Sequence, residues 1–63
     1  MKEPRAWDMF NREIHINDRV QIIVNGDPVE GVINYIGMDD YIRVNTLAGE
    51  FRRKGKNAMK LLP

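Results

Sequence analysis

The basic side chains near the carboxyl end are the strongest candidates for chemistry in this sequence. Residues 52–60 contain five lysines and arginines and no acid. Clustered cations bind phosphate backbones because each neutralised phosphate releases a condensed counterion. A nucleic-acid-binding site is therefore predicted, with these candidate residues: Arg52, Arg53, Lys54, Lys56 and Lys60. The alternative, weighted equally, is a solvated strand edge on which lysine and arginine block edge-to-edge pairing.

Aromatic side chains could supply a second kind of contact. Tyr35 and Tyr41 flank one predicted turn, where exposed rings could stack on bases. Cross-strand packing is the favoured interpretation, because tyrosines on strands commonly pack against each other. Trp7 and Phe10 lie in an amino-terminal segment that should dock on the rest of the domain. If this segment, a predicted helix, is mobile, they are candidates for contact with a protein partner.

The sequence shows no arrangement of residues that is typical of catalysis or metal binding. Asp39 and Asp40 are adjacent, so on a turn they point apart and do not form a converging acid–base pair. His15 has no serine or acid at a catalytic spacing, and the chain contains no cysteine. A glycine-rich phosphate loop is also not visible. We therefore predict a protein that is not an enzyme and that uses neither a metal nor a cofactor.

Local sequence signals predict the elements that must position these residues. Residues 4–13 begin with a proline and carry apolar side chains at i, i+3 and i+7, which predicts a short helix. From residue 19 the apolar side chains alternate, which predicts strands. Asn25 and Gly26 predict a type I′ hairpin turn, and Gly31 in the following strand predicts a bend or bulge. The predicted strands cover about 19–24, 29–36, 41–46, 50–53 and 58–62.

Five short strands with a turn signal between each pair predict a mainly β fold. We expect a small five-stranded bent-sheet barrel over residues 19–62, preceded by the short helix. An open meander is the alternative, but it would leave two unprotected edges. With 63 residues there is room for a single domain over 1–63, and folding leaves such a chain only marginally stable.

The composition limits how so small a domain can be stabilised and where it works. Small domains usually add disulfides, a metal or a partner subunit. With no cysteine and one histidine, a homo-oligomer is the option that stays open. The amino terminus has no apolar signal-peptide core, and the longest apolar run, over 22–24, is far too short for a membrane span. We expect a cytoplasmic protein that does not bind membranes.

Residues 20–33 resemble the Sm-like family, which includes the bacterial Hfq proteins. Residues 20–26 match its hydrophobic strand and Asn-Gly turn, and residues 29–33 match its second strand with a glycine in the middle. Lys56-Asn57-Ala58-Met59 is similar to the family's Lys-His-Ala-Ile signature before the last strand. The resemblance implies a short helix, a bent five-stranded sheet and a ring that binds RNA. It also implies that Lys56 and Asn57 lie at the central pore and contact uridine-rich RNA.

The chain also resembles the SH3-like group, which includes KOW and Tudor-type modules. Asn17-Asp18-Arg19-Val20 is similar to the Gly-Asp-x-Val opening of their first strand, and residues 30–33 resemble the strand that follows. This resemblance implies a barrel that binds nucleic acid or protein, often as a monomer. A stable hexamer or heptamer in solution would favour the Sm-like interpretation, and a monomer would favour the SH3-like one.

The function predicted from the sequence is therefore non-catalytic binding. The first hypothesis is a regulatory barrel that binds nucleic acid, RNA in preference to DNA, through residues 52–60. The alternative is an SH3-like protein-interaction module that acts as a small regulator or docking subunit. The candidate protein contacts for that alternative are Trp7, Phe10, Tyr35 and Tyr41.

Overall fold

A computed structural model describes residues 3–62 and shows a mainly β domain. Its strands are β1 (Ala6–Trp7), β2 (Glu13–Ile14), β3 (Arg19–Val24), β4 (Asp27–Ile36), β5 (Tyr41–Thr46), β6 (Gly49–Lys54) and β7 (Met59–Lys60). A short 3-10 helix, Gly55–Asn57, connects β6 to β7. Strands β1 and β2 form a small hairpin, and the other five form one antiparallel sheet in the order β6-β5-β4-β3-β7. Within 3–62, no helix is long and apolar enough to cross a bilayer.

The core lies on one face of the sheet, because apolar residues alternate with polar ones along its strands. The largest fully buried side chains are Ile14, Val20, Ile22, Ile33, Ile42 and Val44. Ala6 from the hairpin and Ala58 after the 3-10 helix complete this cluster. Full burial of one such aliphatic side chain contributes about 1.5–3 kcal/mol relative to exposure. Since the cluster is small, polar contacts that fasten the hairpin and the chain end to the sheet matter for stability.

Two turns fix the registers of the long strands. Asn25 and Gly26 have φ angles of 51° and 85°, the left-handed pair that a type I′ turn requires, so the sequence prediction is confirmed. Asp39 and Asp40 have φ angles of 59° and 63°. There the N–H of Tyr41 donates to the carbonyl of residue 38 at 3.2 Å. Asparagine and aspartate tolerate this conformation better than other residues that carry a Cβ, which explains their places in both hairpins.

The helix predicted over 4–13 is wrong, because these residues form the β1–β2 hairpin. The spacing of Trp7, Phe10 and Ile14 does not give one buried stripe: Trp7 is 38% exposed, Phe10 is 63% exposed, and only Ile14 is buried. A helix of ten residues is marginal in water. The hairpin is stabilised instead by hydrogen bonds to the buried carboxylate of Asp8, which are described below.

The sheet curls strongly, but it does not close into the predicted barrel. Its edge strands β6 and β7 do not pair with each other, and β7 contributes only two residues beside β3. Even so, Arg53 Nη2 on β6 donates to the carbonyl of Ile23 on β3 at 3.1 Å. A flat sheet would hold these strands about 14 Å apart, at three strand spacings. The open side is covered by the 3-10 helix and the hairpin, where the N–H of Met9 donates to the carbonyl of Ala58 at 2.9 Å.

The irregularity predicted at Gly31 lies further along β4. The register between β4 and β5 shifts between Ile33 and Tyr35, and this bulge places Tyr35 on the outer face of the sheet, opposite Arg43. Gly31 meets a different requirement, since a Cβ built on it would lie 2.5 Å from Val44 Cγ1. The two strands approach each other closely at that point.

Candidate nucleic-acid interface

The basic side chains fall into two groups according to their partners. Four have a carboxylate at salt-bridge distance: Arg5, Arg12, Arg19 and Lys60. Among the residues that the structure describes, five have none: Arg43, Arg52, Arg53, Lys54 and Lys56. All five belong to β5, β6 or the 3-10 helix. Within residues 3–62 the positive charge without an acidic partner is therefore confined to one part of the domain, although the net charge of the whole chain is only +1.

The strand register gathers part of this charge on the outer face of the sheet. Tyr35, Arg43 and Arg52 stand opposite one another on β4, β5 and β6, and Tyr41 stands opposite Lys54 in the neighbouring row. Because the residues between them on β5 are buried in the core, these five side chains point the other way. We call them the outer-face patch: Tyr35, Tyr41, Arg43, Arg52 and Lys54.

The two tyrosines and Arg43 form an interlocked group within the patch. The Tyr35 and Tyr41 rings meet edge to face, with centroids 5.8 Å apart and planes at 71°. Arg43 Cζ lies 4.6 Å from the centroid of the Tyr35 ring, and Arg43 Nε donates to Tyr41 Oη at 3.0 Å. This hydrogen bond raises the pKa of Arg43 further, so the guanidinium stays charged. Such cation–π contacts contribute about 0.5–1 kcal/mol at exposed sites, and here they fix the position of the charge.

Gly37 provides the space into which the two tyrosine rings pack. A Cβ built on Gly37 would lie 2.9 Å from Tyr35 Cε2 and 3.0 Å from Tyr41 Cδ2. Both rings use the space that the missing side chain leaves. The turn after β4 therefore positions the aromatic part of the patch as well as connecting the strands.

The patch holds like charges directly opposite each other. Arg43 and Arg52 are register partners on β5 and β6, an arrangement that weakens a sheet unless an anion compensates it. The nearest acid on β6, Glu50, accepts a hydrogen bond from Asn34 Nδ2 at 2.8 Å. A bound phosphate placed between the two guanidiniums would relieve their repulsion.

Arg53 was predicted to contact nucleic acid, but in the structure it makes hydrogen bonds within the domain. It alternates with Arg52 and Lys54 along β6, so it points to the opposite face of the sheet. Its guanidinium donates to the carbonyl of Arg52 at 2.7 Å and to that of Ile23 at 3.1 Å, and it lies over the ring of Phe51 at 5.5 Å. Arg53 therefore holds the curl of the sheet and does not belong to the patch.

Replacement of the neighbours Arg52 and Arg53 should change stability in opposite directions. Arg53→Gln removes the hydrogen bond across the curl and should lower the free energy of unfolding by about 1 kcal/mol. Arg52→Gln removes one of two opposed charges and should raise it by about 0.2–1 kcal/mol. Urea unfolding at low salt measures both changes. Destabilisation of similar size in the two variants would contradict the assignment of Arg52 to a functional surface and Arg53 to a structural one.

The remaining basic candidates lie around the patch or away from it. Lys54 Nζ donates to the carbonyl of Asp39 at 2.7 Å, which holds it beside the β4–β5 turn. Lys56 and Asn57 are exposed in the 3-10 helix directly after β6, where the backbone N–H of Lys56 donates to Asp40 Oδ2 at 3.0 Å. Lys60 on β7 lies 3.5 Å from a carboxylate oxygen of Asp18, and its charge is compensated there.

The four residues predicted to contact a protein lie on two separate surfaces. Tyr35 and Tyr41 belong to the outer-face patch, whereas Trp7 and Phe10 lie on the amino-terminal hairpin. On the hairpin, Arg5 Cζ lies 5.1 Å from the centroid of the Trp7 ring, and Arg12 Cζ lies 5.4 Å from the centroid of the Phe10 ring. Exposure of both rings leaves them available to a partner, separately from the patch.

A structural centre that the sequence analysis missed is the buried carboxylate of Asp8. Its side chain is fully buried and accepts hydrogen bonds from the backbone N–H groups of Phe10, Arg12 and Lys60 at 2.8–3.0 Å. Arg12 Nε donates to it at 2.9 Å. Burial acts to raise the pKa of Asp8, but the hydrogen bonds from Arg12 and the three backbone groups lower it to about 2. This ionised carboxylate ties the hairpin to β7 at the end of the chain.

The acidic residues near His15 are not arranged as a metal site in the part of the chain that the structure describes. His15 Nδ1 lies 3.5 Å from Asp18 Oδ2, and its Nε2 lies 3.8 Å from Glu13 Oε2. Across residues 3–62 no group of three or more histidine and acidic side chains is arranged to hold a metal ion. The open groove beside this histidine is lined by Pro4, Arg5 and Glu13 among others.

Comparisons with known proteins found no match to this chain among family models, curated proteins or solved structures. The geometry of the site is therefore the basis on which a function is assigned.

Proposed function

We propose that the protein is a non-catalytic domain that binds nucleic acid, RNA in preference to DNA, in a regulatory role. The outer-face patch, extended by Lys56, is the contact surface. The observation that carries this proposal is the segregation of charge within residues 3–62: the cations with carboxylate partners lie elsewhere, while those without lie on β5, β6 and the 3-10 helix, and all of them except Arg53 are free of a structural role across the curl. Such a surface attracts a polyanion even when the net charge of the chain is close to zero.

The make-up of the patch favours a nucleic acid over an acidic peptide. Arginine binds phosphate through a rigid, planar fork of donors, and the patch offers two arginines with Lys54 beside them. Arg52 and Lys54 are two residues apart on one face of β6, so their Cα atoms are separated by about 7 Å. This spacing suits successive phosphates of an extended strand. The half-exposed Tyr35 ring adds a surface for bases, which an acidic peptide would not need.

We further propose that the sheet is an open variant of the Sm-like and SH3-like barrels. A strongly bent sheet of five antiparallel strands is the plan that both families share, and the order β6-β5-β4-β3-β7 supports the relation. Exposure of Lys56 and Asn57 before the last strand supports their use in RNA contact. Measurement of the molar mass in solution separates the two families, since a ring would appear as a hexamer or heptamer.

Removal of charge from the patch should abolish most of the affinity for RNA. The double variant Arg52→Gln/Lys54→Gln should weaken binding of a short uridine-rich oligoribonucleotide by at least tenfold. Loss of two phosphate contacts should also reduce the slope of log affinity against log salt by about 1.4, at about 0.7 per phosphate on a single strand. Fluorescence anisotropy at several salt concentrations gives both quantities.

The matched control is Arg5→Gln/Arg19→Gln. It removes the same net charge from two exposed arginines that already have carboxylate partners, and its affinity and salt slope should stay near those of the wild type. Equal losses in the two double variants would show that net charge alone attracts RNA and would refute the site. An all-deoxy strand of the same sequence should bind more weakly, and equal affinity would refute the preference for RNA.

A second candidate function is protein interaction through the amino-terminal hairpin. The observation in its favour is the exposure of adjacent apolar residues at the tip, where Met9 is 47% and Phe10 63% exposed. Large exposed aromatic residues are common anchors of protein interfaces. This function would be distinguished by a partner protein whose affinity depends on Phe10 and not on Arg52.

A further inference from the structure

We infer that the outer-face patch selects single-stranded over duplex nucleic acid by stacking an unpaired base on the platform that Tyr35 and Arg43 form. This inference rests on the proposed function and specifies which form of the ligand is bound and which residues distinguish it. The platform requirement is separate from the charge requirement, so the two can fail independently.

The platform is held in place before any ligand arrives. Tyr35 is 43% exposed on the outer face of the sheet, and the guanidinium of Arg43 lies 4.6 Å from the centroid of its ring. Tyr41 supports both, through an edge-to-face contact with Tyr35 and a hydrogen bond with Arg43, and Gly37 leaves the space in which the rings lie. Bases stack on tyrosine rings and on arginine planes alike, and a preformed platform reduces the entropy lost on binding.

The register sets the direction of a bound strand. Tyr35, Arg43 and Arg52 form one row across three strands, so about 10 Å separate the backbone positions of Tyr35 and Arg52. Lys54 continues the line of charge along β6. A phosphate backbone that follows Arg52 and Lys54 along β6 therefore directs its bases across β5 toward Tyr35.

A duplex cannot use the platform. Its bases are stacked inside the helix, and proteins that stack on bases act on strands whose bases are splayed out. Reading of a groove needs an element that enters it, such as an α-helix or a two-stranded β-ribbon. The helical structure in residues 3–62 is a 3-10 helix of three residues, and the patch itself is the face of a sheet. A duplex thus gains phosphate contacts only, whereas a single strand gains those and the stack.

The test compares a single-stranded uridine-rich oligoribonucleotide with the same strand annealed to its complement. By fluorescence anisotropy, the wild type should bind the single strand at least tenfold more tightly than the duplex. Tyr35→Leu removes the ring and should weaken single-strand binding about tenfold. Duplex binding should fall by no more than about threefold, because Arg43 loses one cation–π contact but keeps its hydrogen bond to Tyr41. Tyr35→Phe keeps the ring and should stay within about twofold of the wild type. Duplex affinity that is largely retained in the leucine variant also shows that its fold is intact.

Equal affinity of the wild type for the two forms would overturn the inference, as would equal losses of the two affinities in Tyr35→Leu. The proposed function would survive that result if Arg52→Gln/Lys54→Gln still lost affinity, and it would fail if no form bound at all. If the leucine variant does not fold, NMR of the wild type decides. The ring signals of Tyr35 should shift on addition of the single strand and not on addition of the duplex, and identical shifts with both would refute stacking.

Discussion

Replacement of Asp8 by alanine is expected to unfold much of the protein at neutral pH. The change leaves three backbone N–H groups and the guanidinium of Arg12 without their shared acceptor at a fully buried position. A donor left without its partner in the interior costs about 1–3 kcal/mol, so the loss of an acceptor shared by three backbone groups should cost about 3–5 kcal/mol. A chain of this length has only about 3–9 kcal/mol of stability to lose, at the usual value per residue. Thermal unfolding followed by circular dichroism measures the loss.

The same carboxylate should make the protein sensitive to acid. In the folded state the hydrogen bonds of Asp8 lower its pKa from an ordinary value of 3.8 to about 2, against the effect of burial. The folded protein therefore binds this proton less tightly than the unfolded chain. Its contribution of about 2 kcal/mol is complete above pH 4 and is lost as the pH falls toward 2. The pKa of Glu13, which accepts hydrogen bonds from Arg5, is lowered as well, so its effect has the same sign.

Two variants separate this effect from general acid unfolding. Asp8→Asn keeps the shape of the side chain and removes its charge, so it should be less stable at neutral pH and should lose less stability between pH 4 and pH 2 than the wild type. Glu30→Gln is the matched control, because it breaks an exposed pair with Arg19 and should cost less than about 1 kcal/mol. Identical pH profiles of Asp8→Asn and the wild type would show that Asp8 does not carry the acid sensitivity.

The sheet could be predicted from sequence because its signals are local. Asn25 and Gly26 determine a turn within four residues, and the alternation on either side determines which face is buried. The amino-terminal segment could not be predicted in this way. Its spacing satisfies a helix, but its structure depends on Asp8, which accepts a hydrogen bond from Lys60, 52 positions away in the sequence. No local pattern contains that partner. The barrel stays open because β6 and β7 do not pair with each other, and the turn signals that predict the strands do not specify which edges of the sheet meet.

The candidate site was predicted in part. Its charges were found because they are adjacent in sequence, but adjacency on a strand places neighbours on opposite faces, and Arg53 is directed away for that reason. Arg43 was missed because it comes from another strand, and only the register of β5 with β6 brings it beside Arg52. The sequence did contain a signal for Arg43: Tyr41 and Arg43 alternate with buried residues, which places both side chains on the outer face of the sheet. Placing that signal beside β6 required the structure.

Charge and stability oppose each other in the patch. Opposed arginines that form no salt bridge weaken the sheet. Of the basic residues on β5 and β6, Arg53 stabilises the curl, while Arg43 and Arg52 stand directly opposite each other. Neither forms a salt bridge with the nearby Glu50, whose charge adds to the effect of the tyrosine hydrogen bond in raising the pKa of Arg43. Under the proposed function, a ligand that supplies negative charge would offset this cost, because binding to the folded state alone adds its own stabilisation. Addition of RNA should therefore raise the melting temperature of the wild type more than that of the Arg52→Gln/Lys54→Gln variant.

Substitution of Gly31 by alanine is the second change for which we expect a large loss of stability. The new Cβ would lie 2.5 Å from Val44 Cγ1, 2.7 Å from the carbonyl oxygen of Asn45 and 2.7 Å from Thr46 Cγ2. Val44 is fully buried, and the carbonyl belongs to the backbone of a paired strand, so neither can move without separating β4 from β5. Overpacking of this kind costs about 3 kcal/mol, a large part of the total. Equilibrium unfolding in urea measures it.

Gly37→Ala is the control that isolates this cause. Neither Gly31 nor Gly37 has a left-handed φ, so alanine is conformationally allowed at both positions, and both gain the same small benefit from a stiffer unfolded chain. They differ in what the Cβ meets, because at Gly37 it meets the rings of Tyr35 and Tyr41 on the outer face, and these can swing into solvent. Gly37→Ala should therefore keep most of its stability and lose affinity for single-stranded RNA, whereas Gly31→Ala should lose stability first. If the two variants were equally stable, the close approach of β4 and β5 would not be what requires glycine at position 31.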